Sequence, residues 1–154
     1  MGKMGSSYGR FAAMIATSTV VMYGLMYLNT YRLEHVFFSQ TRVWMAVYMG
    51  ATMAVIMLGY MLNMYRNIRV NLGIFLGSVA VFAGALWLLR SQATVGDVAW
   101  MKAMIPHHSI AILTSERANL TDPRVRELAD AIIETQRQEI AQMKALIADL
   151  EGTR

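Results

Sequence analysis

Cysteine is absent from this chain of 154 residues, and charged residues make up only 16% of it. Without cysteine the protein has no disulfide, no thiolate metal site and no cysteine nucleophile. A soluble domain has about 25% charged residues. The low charge and the 56% hydrophobic content exclude intrinsic disorder for most of the chain. Residues 1–90 contain one acid, Glu34, whereas residues 91–154 contain nine. The sequence therefore predicts an apolar first part and a charged second part.

Three runs without a charged side chain, 11–31, 43–65 and 70–89, make up most of the first part. Each run reaches the about 20 residues that a helix needs to cross a bilayer core. Lipid offers no hydrogen bond to a backbone amide, so spanning segments of this kind are helical. Residues 1–90 are thus predicted to form a membrane domain with three transmembrane helices.

The basic residues of this first part stand singly beside the apolar runs. They form no patch that would bind nucleic acid, and we expect them to face the headgroups of membrane lipid. Three spans would place Lys3, Arg10, Arg66 and Arg69 on one side of the membrane and Arg32, Arg42 and Arg90 on the other. The positive-inside rule then predicts a cytoplasmic N-terminus and an exported C-terminal part.

Residues 95–152 have the pattern of a helical hairpin. We expect Asp97 to cap a first helix that ends near Asn119, and the pair Asp122-Pro123 to begin a second helix that Gly152 closes. The whole chain is therefore predicted to be all-α. Two amphipathic helices bury little core by themselves, so we expect a second copy of the chain or a neighbouring protein to cover their apolar stripe.

Residues with ligand chemistry cluster on the first helix of this hairpin. At 100° per residue, Asp97, Met101, Met104 and His108 share one face, and His107 lies beside Met104. The thioether groups and the imidazole rings therefore converge on one stripe. Pro106 is expected to break the helix just before the two histidines, because proline removes a helical hydrogen bond.

The second helix would add ligands from the opposite side. Folding the hairpin about residue 120 brings Gln136, Glu139 and Met143 level with Met104, Met101 and Asp97 respectively. Soft thioether ligands select Cu(I) in preference to Cu(II), and silver by the same reasoning. The alternative is that the methionines fill the core and the histidines make ordinary hydrogen bonds.

Two further features of the first part have ligand chemistry. Methionine recurs at every fourth position of the second run, at Met45, Met49, Met53, Met57 and Met61, which forms a slanting ridge around a helix. This ridge is interpreted either as packing or as a path for a soft ion. His35 lies in the loop between the first two runs, on the same predicted side of the membrane as His107 and His108, and is an additional metal candidate beside Asp97 and Glu139.

Residues 97–150 resemble the bacterial family catalogued as domain of unknown function 305. The resemblance is carried by Asp97, Met101, Met104-Ile105-Pro106-His107-His108, Ala111, Asp122-Pro123, Gln136, Glu139-Ile140 and Met143. The membrane part, with His35 in its loop and a methionine-rich second span, resembles a three-span subgroup of that family.

This resemblance implies a ferritin-like helical bundle, of which the hairpin would be one half, and a copper-associated role on the exported side. It implies as metal ligands Met101, Met104, His107, His108 and Met143. Some family members have two such hairpins in one chain, whereas this sequence has one. A homo-oligomer that completes the bundle is therefore expected.

The function that these features favour is a copper-binding protein anchored in the bacterial inner membrane, with its hairpin in the periplasm, for copper buffering, resistance or delivery. The sequence offers no nucleophile with a base and no phosphate-binding glycine loop, so we expect no enzyme, apart from redox turnover at a bound copper. The alternatives are an accessory subunit of a larger membrane complex and a small conduit for soft ions along the methionine ridge.

Overall fold

The computed structural model describes residues 2–152, with side chains from Ser7 onward. Over this range the chain forms α1 (Gly2–Leu25), a 3-10 turn (Leu33–His35), α2 (Gln40–Tyr60), α3 (Ile68–Ser91), α4 (Asp97–Arg117) and α5 (Pro123–Gly152), and no β-strand. The predicted all-α fold class is confirmed.

The chain divides into two compact units that are not continuous in sequence. The first unit comprises the chain up to Leu25 together with Thr41–Thr94, and the second comprises Met26–Gln40 together with the chain from Val95 onward. The loop between α1 and α2 thus belongs to the unit that contains α4 and α5. The domain boundaries expected from the sequence assigned this loop to the membrane domain instead.

The first unit packs α1, α2 and α3 around one cluster. Phe11 of α1 and Leu58 of α2 are buried together with Ala54 and Tyr65, and Ile74 and Phe75 of α3 pack against them. Gly50 lies where α1 and α2 approach closely, since a Cβ at this position would collide with the hydroxyl of Thr19. A polar network closes one end of the unit.

That network centres on the buried Asn71. The Tyr8 hydroxyl donates to Asn71 Oδ1 over 2.8 Å, and the Asn71 amide donates to the Tyr65 carbonyl over 2.6 Å. Asn67 caps α3, since its side chain accepts the backbone N–H groups of Arg69 and Val70. The polar side chains at this end therefore bond to one another and to the free backbone groups at the start of α3.

Two described helices, α2 and α3, are long and apolar enough to cross a membrane, by length and composition. The first predicted span is not among them. α1 has 24 residues and ends at Leu25, so fifteen residues without a charged side chain follow Arg10, where the predicted run had 21. Residues 26–31, which the run 11–31 included, turn away from the helix, and the Tyr27 hydroxyl accepts the N–H of Ser39 over 3.0 Å.

The second unit is the α4–α5 hairpin with the loop Met26–Gln40 packed on it. Its core consists of apolar side chains from both helices: Met101, Ile105, Ile112, Ile133, Ile140, Met143 and Ile147. Tyr31 and Phe37 of the loop pack against this core. A segment of the same chain therefore covers part of the stripe that was expected to need a second copy or a neighbour.

The hairpin ends are held by caps and ion pairs. The Asp122 carboxylate accepts the N–H of Arg124 over 2.9 Å, directly after Pro123 at the first position of α5. Asp97 is the first residue of α4, and Gly96 occupies the cap position expected for it. Lys102 pairs with Glu151 at 2.5 Å, which joins the start of α4 to the end of α5.

Two further expectations about the hairpin were wrong. α4 runs without interruption across Pro106, because the buried proline lies in a helix that both flanking turns pack into the core. Glu139 meets His108 and not Met101. Side chains lean toward the N-terminus of their own helix, so in this antiparallel hairpin a residue of α4 contacts a residue of α5 that lies further from the turn.

Candidate metal centre

His108 of α4 and Glu139 of α5 form a polar pair between the two helices. His108 Nε2 lies 2.8 Å from Glu139 Oε2, and His108 Nδ1 lies 3.0 Å from the carbonyl oxygen of Met104. The Gln136 amide donates to the same Glu139 Oε2 over 3.1 Å. The imidazole side chain is 12% exposed and the carboxylate 45% exposed, so the pair lies at the edge of the hairpin with the carboxylate outward.

The partners of the His108 ring fix its protonation pattern. A carbonyl oxygen only accepts, so Nδ1 carries a proton and donates it to Met104. Nε2 then faces the Glu139 carboxylate, which also only accepts hydrogen bonds. Either a second proton on the ring or a bound cation would satisfy both Nε2 and the carboxylate. An Nδ1–H bonded to a backbone carbonyl is the arrangement that orients a metal-binding histidine and leaves Nε2 for the metal.

The other predicted ligands lie apart from this pair or face the core. Met101 and Met143 are buried, at 4% and 6% exposure, and Met104 packs against the same core cluster. His107 is exposed, with its ring centroid 6.3 Å from that of His108, and Asp97 is exposed at the start of α4. In the described part of the chain no three His, Cys, Asp or Glu side chains come together as a metal site.

His35 belongs to a second polar cluster, where the loop meets α4. Its Nδ1 lies 2.9 Å from the hydroxyl oxygen of Ser109, which also accepts the N–H of Tyr31 over 2.7 Å. Its Nε2 lies 3.6 Å from the Glu34 carboxylate, which is in turn 3.8 Å from Lys144 Nζ. Burial lowers the pKa of His35 below its ordinary value of 6.5, and the positive charge of Lys144 lowers it further.

A neutral His35 suits these neighbours. The Ser109 hydroxyl accepts from Tyr31, so its own proton can be donated to an unprotonated Nδ1. A cavity of about 230 Å³ opens beside the ring and connects it to solvent; its lining includes Arg32, Arg137 and Lys144. His35 therefore holds the loop to α4 through Ser109, and this cluster has a structural role that the sequence did not reveal.

The sequence offered one signal for Ser109. Positions 101, 105, 109 and 112 form the buried face of α4, and Ser109 is the one small polar residue among them. A hydroxyl with no exposure requires a partner. Nothing in the sequence indicated that the partner would come from the loop, more than 70 residues earlier.

The methionine ridge of α2 lies half-buried in the first unit. Met45, Met49 and Met53 are intermediate in exposure, and Met57 and Met61 pack against the cluster of Phe11 and Leu58. The contacts of Met57 and Met61 are those of core side chains. The ion path along this ridge stays a prediction.

Comparison with known proteins gives two matches. Residues 86–151 match the family described as Domain of unknown function (DUF305). An uncharacterized protein of Acanthamoeba polyphaga mimivirus is 33% identical over 102 residues, which cover 62% of this chain and 67% of that relative. No solved structure matches the chain.

Proposed function

The chain belongs to the family described as domain of unknown function 305, and we propose that it is a membrane-anchored copper-binding protein without catalytic activity. The observation that carries this proposal is the His108–Glu139 pair. One ring nitrogen is held by a backbone carbonyl, and the other points at a carboxylate oxygen that Gln136 orients.

The donor atoms of this pair decide which ions it suits. Imidazole nitrogen with carboxylate oxygen suits Cu(II), whereas thioether sulfur suits Cu(I) and Ag(I). Met101 and Met143 are packed in the core, so a Cu(I) site at this edge would draw on Met104 and the exposed His107. His108 and Glu139 bind copper in either state, and His107 and Met104 are the side chains that would adapt the site to Cu(I).

Membrane anchoring rests on the surface of α3. This helix has a mean hydropathy of 2.2 over its most apolar window, yet only 6% of that window is buried. A helix of a soluble protein with this composition would be covered by a core, because water makes so large an exposed apolar surface unfavourable. α2 and α3 are therefore proposed to span the inner membrane of a bacterium, and α1 to enter it as a third span.

The proposed arrangement keeps the N-terminus in the cytoplasm and the hairpin in the periplasm. Arg66 lies between α2 and α3 and Arg69 lies in the first turn of α3, on the side of the N-terminus, where the positive-inside rule favours basic residues. The anchor would hold the metal-binding hairpin at the membrane surface, where it could buffer copper, confer resistance or deliver the ion to another protein.

The test is a copper titration of the full-length protein in detergent, carried out separately with Cu(II) and with Cu(I), with bound metal measured by mass spectrometry. We expect His108→Gln and Glu139→Gln each to weaken copper binding at least roughly tenfold. Glu134→Gln is the matched control, since Glu134 is an exposed carboxylate on the same helix, bonded to Gln138. Absence of bound copper in the unmodified protein, or equal loss in the control, would refute the proposal.

One observation favours the accessory-subunit alternative. α5 exposes apolar side chains on a face that no described residue covers, among them Leu128 at 61% and Leu146 at 45% exposure. If this face binds another membrane protein, a partner should co-purify in fixed ratio, and Leu128→Glu should release it without any effect of copper.

A further inference from the structure

α5 has two apolar stripes, and the hairpin uses one of them. Ala129, Ile133, Ile140, Met143 and Ile147 form the buried stripe. A second set, which we call the outer stripe, falls within about 60° of arc beside it and stays 37% to 61% exposed: Val125, Leu128, Ile132, Leu146 and Leu150. α4 and the loop therefore cover only part of the apolar surface of α5.

The centre of the outer stripe is polar. Between Ile132 and Leu146 the seven-residue spacing places Glu139 on the stripe, with Thr135 and Gln142 on its flank. Glu139 is the carboxylate that pairs with His108. The candidate metal pair therefore lies in the middle of an exposed apolar surface.

This stripe is self-complementary when read in both directions from Arg137. Leu128 lies nine positions before Arg137 and Leu146 nine positions after it; Ile132 and Gln142 lie five positions before and after. At the ends, Arg124 and Asp149 have opposite charge and lie thirteen and twelve positions away. Two copies of α5 laid antiparallel about this centre would bring leucine to leucine and Arg124 to Asp149.

We propose that two copies of the chain pair through their outer stripes, antiparallel about a two-fold axis near Arg137, and that their two His108–Glu139 pairs form one shared copper site. This inference rests on the proposed function. Glu139 lies two positions from the axis, so the two Glu139 Cα atoms would be about 6 Å apart along the helices at 1.5 Å per residue. Long glutamate side chains reach one ion across that separation.

Copper explains why the stripe tolerates a carboxylate at its centre. Burying two glutamates near one another is unfavourable unless a cation or a protonated partner compensates their charge. One hairpin supplies two donors, one nitrogen and one oxygen, whereas Cu(II) is usually held by four. The second copy supplies the missing two, so the site is incomplete in a single chain.

The register can be tested because the chain contains no cysteine. In metal-free, full-length protein in detergent, Leu128→Cys mixed with Leu146→Cys should give a disulfide-linked dimer under a mild oxidant. Either variant alone should not, because like positions would be eighteen residues, or about 27 Å, apart along the helix. A Leu128→Cys dimer formed alone, or no cross-link in the mixture, would overturn the antiparallel pairing.

The shared site is tested by native mass spectrometry of the same protein with Cu(II). The expected result is one copper per two chains in the dimer. The double change Leu128→Glu and Leu146→Glu should give monomers that bind copper at least roughly tenfold more weakly, although His108 and Glu139 remain. Ala131→Glu with Ala145→Glu is the control, because it adds the same charge at exposed positions off the outer stripe.

The outcomes separate the two proposals. One copper bound tightly per monomer would overturn the shared site and keep the proposed function. A dimer with the expected cross-link that binds no copper would refute the proposed function and the shared site. The antiparallel pairing of two chains would still be supported. A partner protein bound at the outer stripe in place of a second copy would overturn the pairing.

Discussion

The hydroxyl of Ser109 is predicted to hold the loop Met26–Gln40 on α4. Ser109 has no exposed surface, and its oxygen contacts both the N–H of Tyr31 at 2.7 Å and Nδ1 of His35 at 2.9 Å. Ser109→Ala removes both contacts at once. A buried polar group that loses its partner costs about 1 to 3 kcal/mol, so two groups together should lower the stability of the docked loop by at least about 2 kcal/mol.

That loss should appear as faster exchange of the loop amides. A change of about 2 kcal/mol corresponds to roughly a 30-fold increase in the open population. The reporters are the amides of Tyr31, His35 and Val36, since the last two are bonded inside the 3-10 turn to Arg32 and Leu33. Hydrogen exchange measured by mass spectrometry on the full-length protein resolves this segment.

The controls separate loop opening from general unfolding. Ser115→Ala, on the same helix but at a half-exposed position, should leave the loop amides unchanged. The core amides of α5 near Ile140 should keep their protection in Ser109→Ala. An increase below about threefold would refute the reasoning, and would mean that the packing of Tyr31 and Phe37 alone holds the loop.

Two further predictions concern the two units separately. Burial lowers the pKa of His35 below 6.5, so near that pH the unfolded chain takes up a proton that the folded chain excludes. The free energy of unfolding should therefore fall as the pH drops through about 6.5. In a denaturant titration, His35→Gln should remove this part of the pH dependence, whereas His107→Gln should retain it. In the first unit, Gly50→Ala should lower stability by about 1 to 3 kcal/mol, because the added methyl group meets Thr19, whose hydroxyl is fixed on the Ile15 carbonyl. Gly59→Ala has open space and should be neutral or slightly stabilising; equal thermal midpoints for the two variants in detergent would contradict this account.

The helices of the hairpin were predictable because their signals are local. The Asp122-Pro123 pair begins α5 and helical spacing of apolar residues marks its buried face, and both depend on neighbours within a few positions. The predicted register failed for a geometric reason. Counting from the turn treats side chains as level with their Cα atoms, whereas side chains lean toward the N-terminus of their own helix. His108, the partner of Glu139, lies seven residues, about two helical turns, beyond the predicted Met101.

The end of α1 and the position of the loop could not be read from local patterns. Hydropathy continues through Tyr27 to Tyr31, so the run looked like one span, and no spacing rule marks Leu25 as its end. The deciding interactions lie beyond the reach of helical spacing: Tyr27 bonds to Ser39, and Tyr31 and His35 bond to Ser109. Single residues that bond across more than 70 positions have no periodicity for a sequence pattern to detect.

The composition of the second unit from two separate stretches of chain has a consequence for biosynthesis. The loop leaves the ribosome before α2 and α3, and α4 follows only after residues 41–94 have been made. Synthesis proceeds at about 5 to 20 residues per second. The loop is therefore complete roughly three to ten seconds before α4, the helix that contains Ser109, begins to be made. A gene fragment starting at residue 86, where the family similarity begins, would encode both hairpin helices and leave this face of α4 bare. The shortest continuous stretch of this chain that contains both the loop and the hairpin therefore starts at Met26 and includes α2 and α3.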